Sequence, residues 1–355
     1  MAKTDYKVIG VMSGTSLDGI DIIYAHFALD GHWTFEILQA ETIKYPQKWT
    51  SILSNLVQNS REELHHIDVE YSHFLANVIS DFIKRNDLQQ IDFVASHGHT
   101  ALHQPSKGYT FQIGNLQTLA NSIQQRIICD FRVQDVELGG QGAPLVPIGD
   151  RMLFSEFDYC LNLGGFANIS FENDNTRIAF DICPVNIVLN HYVKDLGFEY
   201  DDKGTLASHG KIHEDLLTQL NQLDFYIQKS PKSLGLEWVK SYVFPLIDAL
   251  QIEIKDVLRT VVEHIAIQIS KVIDVESKSV LVTGGGAYND FLMMRIKAMS
   301  SSKISIPDNK IIEFKEALVF GLLGVLKDRN EINCLKSVTG ARKDHSSGKI
   351  LIPEN

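Results

Sequence analysis

One pattern, met twice, constrains this chain more than any other. An apolar run from Tyr6 to Met12 breaks at the small-residue loop Ser13-Gly14-Thr15-Ser16-Leu17-Asp18-Gly19, and a second apolar run, Ile20 to Phe27, follows at once. Strand, glycine turn, strand is the signature of a hairpin. The pattern recurs in the second half: Tyr159 to Leu163, the turn Gly164-Gly165, then Ala167 to Phe171. With 355 residues the chain has room for two domains at about 150 residues each. One hairpin then opens each half. The connector Glu137-Leu138-Gly139-Gly140-Gln141-Gly142-Ala143-Pro144 marks the expected hinge. The expected domains are 1–135, which the tail 330–355 is a candidate to complete, and 136–329.

The remaining elements follow from periodicity. Trp33 to Ala40 suits a third strand, and Glu63 to Lys84 an amphipathic helix with Ile67, Tyr71, Phe74, Leu75 and Ile79 at helical spacing. Ile91 to Ser96 reads as a short strand entering a histidine-rich turn, Asn115 to Gln125 as a helix and Arg126 to Asp130 as a strand. Arg177 to Asp181 is a strand that Asp181 ends, and Asp256 is placed to cap a long helix carrying Leu258, Val261, Val262, Ile265 and Ile269. Ser279 to Thr283 feeds Gly284-Gly285-Gly286, with helices over Asp290 to Met299 and Lys315 to Lys327 and a strand-like Lys349 to Ile352.

Composition narrows the class. Hydrophobic residues make up 44% and charged ones 22%, which suits a globular protein, and the net charge of −11 argues against nucleic acid and against a basic membrane surface as partners. No secretory signal and no membrane-length apolar run is read, so the expected address is the cytoplasm. Cys129, Cys160, Cys183 and Cys334 form no CxxC pair and read as buried thiols, neither a disulfide frame nor a zinc site. A homodimer is compatible with these features.

Three glycine turns follow apolar strands, at Gly14, at Gly164-Gly165 and at Gly284-Gly285-Gly286. Small residues let backbone N–H groups approach a phosphate closely. None is a Walker A loop and none a Rossmann fingerprint. Each alone is an ordinary tight turn; together they suit one nucleotide. Asp18 sits in the first turn, Asp21 just after it, and Asp181 at its strand end. Such carboxylates can hold Mg²⁺ through water or act as a base, and can equally form Asx-turns or caps. His97, His99 and His103 lack a carboxylate or cysteine to complete a metal site and suit a polar lining better, while His65-His66 suits a solvated helix face.

The segment Gly10-Val11-Met12-Ser13-Gly14-Thr15-Ser16-Leu17-Asp18-Gly19-Ile20-Asp21 resembles the opening signature of the anhydro-N-acetylmuramic acid kinases. Further along, Ser96-His97-Gly98 with His103, Asp130-Phe131-Arg132, and Gly139 through Pro147 resemble the same family. So do Leu161 through Ser170, Thr283 through Asn289, Lys315-Glu316-Ala317 and Ser337 through Ala341. The resemblance implies an α/β fold of two ribonuclease-H-like domains, the actin, Hsp70 and sugar-kinase architecture, with ATP in an interdomain cleft. It implies that Gly14, Thr15, Ser16, Leu17, Asp18, Gly19, Ile20 and Asp21 wrap the ATP phosphates. Gly164 and Gly165 become a second phosphate loop, and Gly284, Gly285 and Gly286 face the adenosine. Asp181 becomes the catalytic base, with Mg²⁺ held in the outer shell of Asp18 and Asp181. Glu316, His97 and Asn186 become sugar-binding residues.

The chain departs from the family where Asp-Thr-Gly-Pro-Gly-Asn is usual: here it is Asp181-Ile182-Cys183-Pro184-Val185-Asn186, without either glycine. Lys232-Ser233-Leu234-Gly235-Leu236-Glu237 also lacks an arginine usual in the family, and His99 stands where glutamine is usual. The implied activity is ATP-dependent hydrolytic opening and 6-phosphorylation of 1,6-anhydro-N-acetylmuramic acid in peptidoglycan recycling. Alternatives are a kinase for a related amino- or anhydro-sugar, or a non-catalytic nucleotide or sugar sensor, which the altered Asp181 segment favours.

Overall fold

The structure is a computed structural model that describes residues 3–14 and 17–354. Strand β1 (Asp5–Ser13) pairs antiparallel with β2 (Ile20–Asp30), and β2 with β3 (His32–Ile43). Strand β4 (Phe93–Gln104) runs parallel to β1 and turns back into β5 (Tyr109–Ile113), while β6 (Ile127–Cys129) lies parallel to β4. In the second half β7 (Tyr159–Leu163), β8 (Phe166–Asn173) and β9 (Thr176–Pro184) form a second antiparallel meander. Strand β10 (Ser279–Thr283) is parallel to β7, and β11 (Lys303–Ser305) to β10. The tail strand β12 (Lys349–Leu351) returns to β6 and pairs antiparallel with it.

The sheet orders are therefore β12-β6-β4-β1-β2-β3 and β11-β10-β7-β8-β9. Each is a three-stranded meander whose first strand also carries two further strands in parallel. That is the ribonuclease-H-like order, present twice.

Two compact units result: 1–153 with 314–355, and 154–313. The divisions fall at 153/154 and 313/314 where sequence placed them at 135/136 and 329/330. The glycine connector 137–144 lies inside the first unit and is not the point of division.

In the first unit the central strands β1 and β4 are covered on both faces, which is why Val8, Ile9, Val11 and Phe93, Val94, Ala95 read as unbroken apolar runs. The helix Arg61–Arg85 covers one face through Leu64, Tyr71, Leu75, Ile79 and Phe82. Its start is fixed by a capping box: the Glu63 N–H donates to Ser60 Oγ (3.3 Å) and the Ser60 N–H to Glu63 Oε2 (2.7 Å). On the other face the helix Asn309–Asp328 packs by its small residues. A Cβ on Gly10 of β1 would lie 2.2 Å from the Ala317 carbonyl oxygen, and one on Gly324 2.7 Å from the Phe93 ring.

Three sequence expectations change. Strand β4 does not stop before a histidine-rich turn: it continues through His97, His99 and His103, because β5 gives its second half a hairpin partner. Strand β9 runs on past Asp181 to Pro184, so Asp181 lies within a strand. The long helix spans Ile254–Ile273 with Glu253 at its N-cap; Asp256 is in its first turn, where Oδ1 accepts the Lys211 N–H at 2.7 Å.

Candidate active site

The β1–β2 turn of the first unit carries the residues assigned to phosphate. Thr15 and Ser16 lie outside the described residues. The Leu17 N–H donates to the Gly14 carbonyl at 3.4 Å, and Leu17 has φ +63°. Asp18 is exposed. Gly19 is required by packing, since a Cβ there would lie 2.7 Å from the Ile43 carbonyl oxygen. Ile20 is buried in the sheet, and Asp21 accepts the Thr42 hydroxyl at 2.6 Å.

Directly before this turn is a buried polar network that sequence reasoning missed. Ser13 Oγ lies 2.5 Å from the Tyr45 hydroxyl, 2.7 Å from His99 Nδ1, and accepts the Tyr71 hydroxyl at 3.1 Å. Burial pushes the His99 pKa down to about 4, so its ring is neutral. The end of β1 is thus anchored by side chains. The partners lie 32, 58 and 86 residues from Ser13, and no local signal joins them.

The other histidines hold protein groups. His97 Nδ1–H donates to the Gly98 carbonyl (2.8 Å), and Nε2 accepts from Arg132 Nε at 2.9 Å. Burial and the adjacent Arg132 hold His97 neutral. Arg132 also donates to the Gly142 carbonyl at 2.6 Å. Its charge opposes the rise that burial imposes on the Glu316 carboxyl, which Asp21 reinforces. Glu316 nonetheless keeps surface exposed to solvent. Next to it, Lys315 pairs with Asp150 at 2.7 Å. So the first unit brings Asp21, Glu316 and Arg132 into one electrostatic cluster, with His97 beneath Arg132 as its holder. The ten-residue spacing of Arg132 and Gly142, both in quoted motifs, was the available signal for Arg132.

In the second unit three assigned segments converge at one end of the sheet. The β7–β8 turn, Gly164-Gly165, is bound by its carbonyls: Val185 N–H and Ile187 N–H donate to Gly165 O (2.8 and 3.2 Å), and Asn186 N–H to Gly164 O (3.3 Å). Asn186 Nδ2 donates to the Leu163 carbonyl at 3.3 Å. Gly284, at φ +82°, and Gly286 press on the same turn: Cβ atoms there would lie 2.9 Å from Leu163 O and 2.7 Å from Leu163 Cβ. A Cβ on Gly165 would meet only Ile187, at 3.9 Å, and one on Gly285 only Asn186, at 3.7 Å. Gly284 and Gly286 therefore serve the packing, and Gly165 and Gly285 leave open space beside the turn.

Asp181 lies opposite Asn168 in the β8–β9 register. Its Oδ2 accepts the Leu234 N–H at 2.8 Å, and its own N–H donates to the Lys232 carbonyl at 3.0 Å. Burial raises its carboxyl pKa, and the Leu234 bond opposes the rise. The altered segment 232–237 thus touches Asp181 through backbone alone, which its missing arginine does not disturb. Cys183 and Val185, which replace the family's glycines, are fully buried in the core of this unit.

Tandem ribonuclease-H-like units with glycine turns after the first strand of each define the class: the architecture shared by sugar kinases, Hsp70 and actin. Within that class, residues 6–353 match the anhydro-N-acetylmuramic acid kinase family, and the chain belongs to it. Relatives bearing that family's name are found in Pseudomonas syringae pv. syringae, 33% identical over 86% of both chains, and in Mannheimia succiniciproducens, 32% identical over 97% of this chain and 98% of its own. Another, from Vibrio vulnificus, is 30% identical over 99% of this chain and all of its own. Among the described residues no helix is long and apolar enough to cross a membrane.

Proposed function

We propose that the chain converts 1,6-anhydro-N-acetylmuramic acid, ATP and water into N-acetylmuramic acid 6-phosphate and ADP. The observation that carries this reading is the state of Asp181 in a chain of this family. Its carboxylate is fixed through Oδ2, and its pKa is raised by burial. A base with those properties takes a proton near neutral pH more readily than an ordinary carboxylate.

In this reading Asp181 Oδ1 removes a proton from water as the water oxygen bonds to the anomeric carbon. The bond from that carbon to the bridging oxygen breaks, and the freed 6-oxygen takes the γ-phosphoryl group as ADP leaves. The proton passes from Asp181 to solvent. The turn from Gly14 to Asp21 is assigned to the phosphates, as is Gly164-Gly165, and the Gly284–Gly286 loop to the nucleoside. Glu316, whose carboxyl feels the Arg132 charge, is assigned to sugar hydroxyls, and Asn186 to holding the Gly164-Gly165 turn.

A Mg²⁺ ion, when bound, would neutralise charge on the triphosphate. On the first unit the exposed Asp18 is a carboxylate of the kind that holds such an ion through the ion's own waters, and on the second unit Asp181 is the other carboxylate assigned to its outer shell.

The sensor reading loses its support, because the bulk that replaces the two glycines lies in the core. The test is ADP release with and without the anhydro-sugar. Sugar-dependent release with 6-phosphorylated product supports the reading; nucleotide binding without turnover over a panel of anhydro- and amino-sugars overturns it.

A further inference from the structure

Three ligand-type side chains meet in the interior of the first unit, far from one another in sequence. Asp135 comes from the short helix Val133–Glu137, and Cys334 and His345 from the tail. They are 0%, 1% and 5% exposed. Cys334 and His345 face each other in an isolated antiparallel bridge, each N–H donating to the other's carbonyl at 3.1 Å. Cys334 Sγ lies 3.0 Å from Asp135 Oδ1, and His345 Nε2 lies 3.6 Å from the same oxygen. One ligand atom from each residue falls within 4.8 Å of the others.

The histidine sets the problem. Its Nδ1 lies 3.1 Å from the Lys343 carbonyl, which only accepts, so Nδ1 carries the hydrogen. With no second hydrogen on the ring, the Nε2 lone pair faces a carboxylate oxygen. That nitrogen is buried and has no hydrogen-bond partner. Two acceptors facing each other without water repel, and a cation between them removes the conflict. A proton could serve, but the sulfur at the third corner favours a metal.

The outer contacts are those of a ligand set held in place. Thr339 Oγ1 donates to Asp135 Oδ1 at 2.7 Å, and the Gly142 N–H to Oδ2 at 2.7 Å. A Cβ on Gly140 would lie 2.2 Å from Oδ2, so only glycine lets the backbone close over the carboxylate. Metal–ligand bonds of about 2.0–2.3 Å put neighbouring corners of a tetrahedron about 3.3–3.8 Å apart; the 3.6 Å from Nε2 to Oδ1 lies in that range, while the 3.0 Å from Sγ to Oδ1 is that of the S–H···O hydrogen bond that metal binding would break and lengthen.

We propose that Asp135, Cys334 and His345 form a binding site for a thiophilic divalent metal of the Zn²⁺ class, which ties the tail to the Val133–Glu137 helix. Sulfur, imidazole and carboxylate together select Zn²⁺ or Co²⁺ over Mg²⁺. On binding, the Cys334 S–H bond breaks, the sulfur keeps the electron pair and bonds the metal, and the proton goes to solvent. No redox change occurs.

The test uses the full chain, reduced, unfolded and refolded with Co²⁺. The expected result is one equivalent of cobalt with a thiolate-to-cobalt charge-transfer band and tetrahedral d–d bands, and a higher unfolding temperature with Zn²⁺ but not with Mg²⁺. Cys334→Ser removes the charge-transfer band, His345→Gln weakens cobalt affinity at least about tenfold, and Cys129→Ser leaves both unchanged. Should Cys334→Ser fail to fold, the His345→Gln titration decides. The proposal is overturned by a band that survives Cys334→Ser, by cobalt affinity unchanged in His345→Gln, or by the absence of any band. In the last case a protonated Nε2 in the nitrogen-15 spectrum of His345 would identify an imidazolium–carboxylate pair instead.

Discussion

Asp181→Asn keeps the shape of the side chain and the Leu234 contact while removing the proton acceptor. Sugar-dependent ADP release is expected to fall by about two to four orders of magnitude, the scale of general-base loss, with ATP affinity measured by calorimetry nearly unchanged. Wild-type turnover in this variant would move the base elsewhere, with Asp18 next. Because burial raises the Asp181 carboxyl, the acid limb of the wild-type rate profile should lie at higher pH than an unperturbed aspartate would give, with activity lost as pH falls through it. His99 gives a second pH signature. Its pKa is about 4 when folded and about 6.5 when unfolded, so the unfolded chain binds the extra proton between those values. Stability from this group is complete above about 6.5 and is lost as pH falls toward 4. His99→Gln should flatten that part of the acid-unfolding curve; an unchanged slope would show that His99 is already charged. Asp181 was legible in sequence as a carboxylate near a strand end within a motif. The Ser13–Tyr45–Tyr71–His99 network was not, since packing of the Arg61–Arg85 helix brings it together.

Among the glycine turns, position decides the outcome of a substitution. Gly165→Val meets open space beside the turn, so the fold should survive while ATP affinity drops. An unchanged ATP titration would reduce Gly164-Gly165 to an ordinary turn. Gly286→Ala and Gly10→Ala should do the reverse and lower the thermal midpoint, each losing about 1–3 kcal/mol of stability to overpacking. Their Cβ atoms would strike Leu163 and the Ala317 carbonyl. Both hairpins were readable because apolar runs flanking glycine carry the signal locally. The length of β4 and the continuation of β9 were not, because each is fixed by a neighbouring strand. Asp256 shows the same limit at a helix start, where Asp, a strong capping residue, is used to hold Lys211 instead.

At the scale of the whole chain, the twofold recurrence of a hairpin was enough to foresee two like units, yet it located the divisions poorly. The connector 137–144 is rich in glycine for a reason other than hinging: it wraps Asp135 and Arg132 within the first unit. The role of the tail was half visible, in the apolar run at its end. It supplies β12, and Lys349 pairs with Asp130 at 2.8 Å. Removing residues 349–355 leaves β6 with a bare edge, and the first unit should unfold at lower temperature and aggregate through that edge. A truncated chain with an unchanged melting curve would show that β12 is dispensable.

The first unit is assembled from residues 1–153 and 314–355, with the second between them. During synthesis β1 through β6 therefore leave the ribosome without the helix that covers Gly10 and Phe93. At about 5–20 residues per second, the 160 residues of the second unit impose a wait of roughly 8–32 seconds. Throughout it one apolar sheet face and the β6 edge stay uncovered. The second unit is continuous and meets no such delay. The chain's exposure to aggregation, and its need for a chaperone, should thus be set by translation speed across 154–313. Slowing codons placed there should lower the soluble yield, and an unchanged yield would show that the uncovered sheet face does not limit folding.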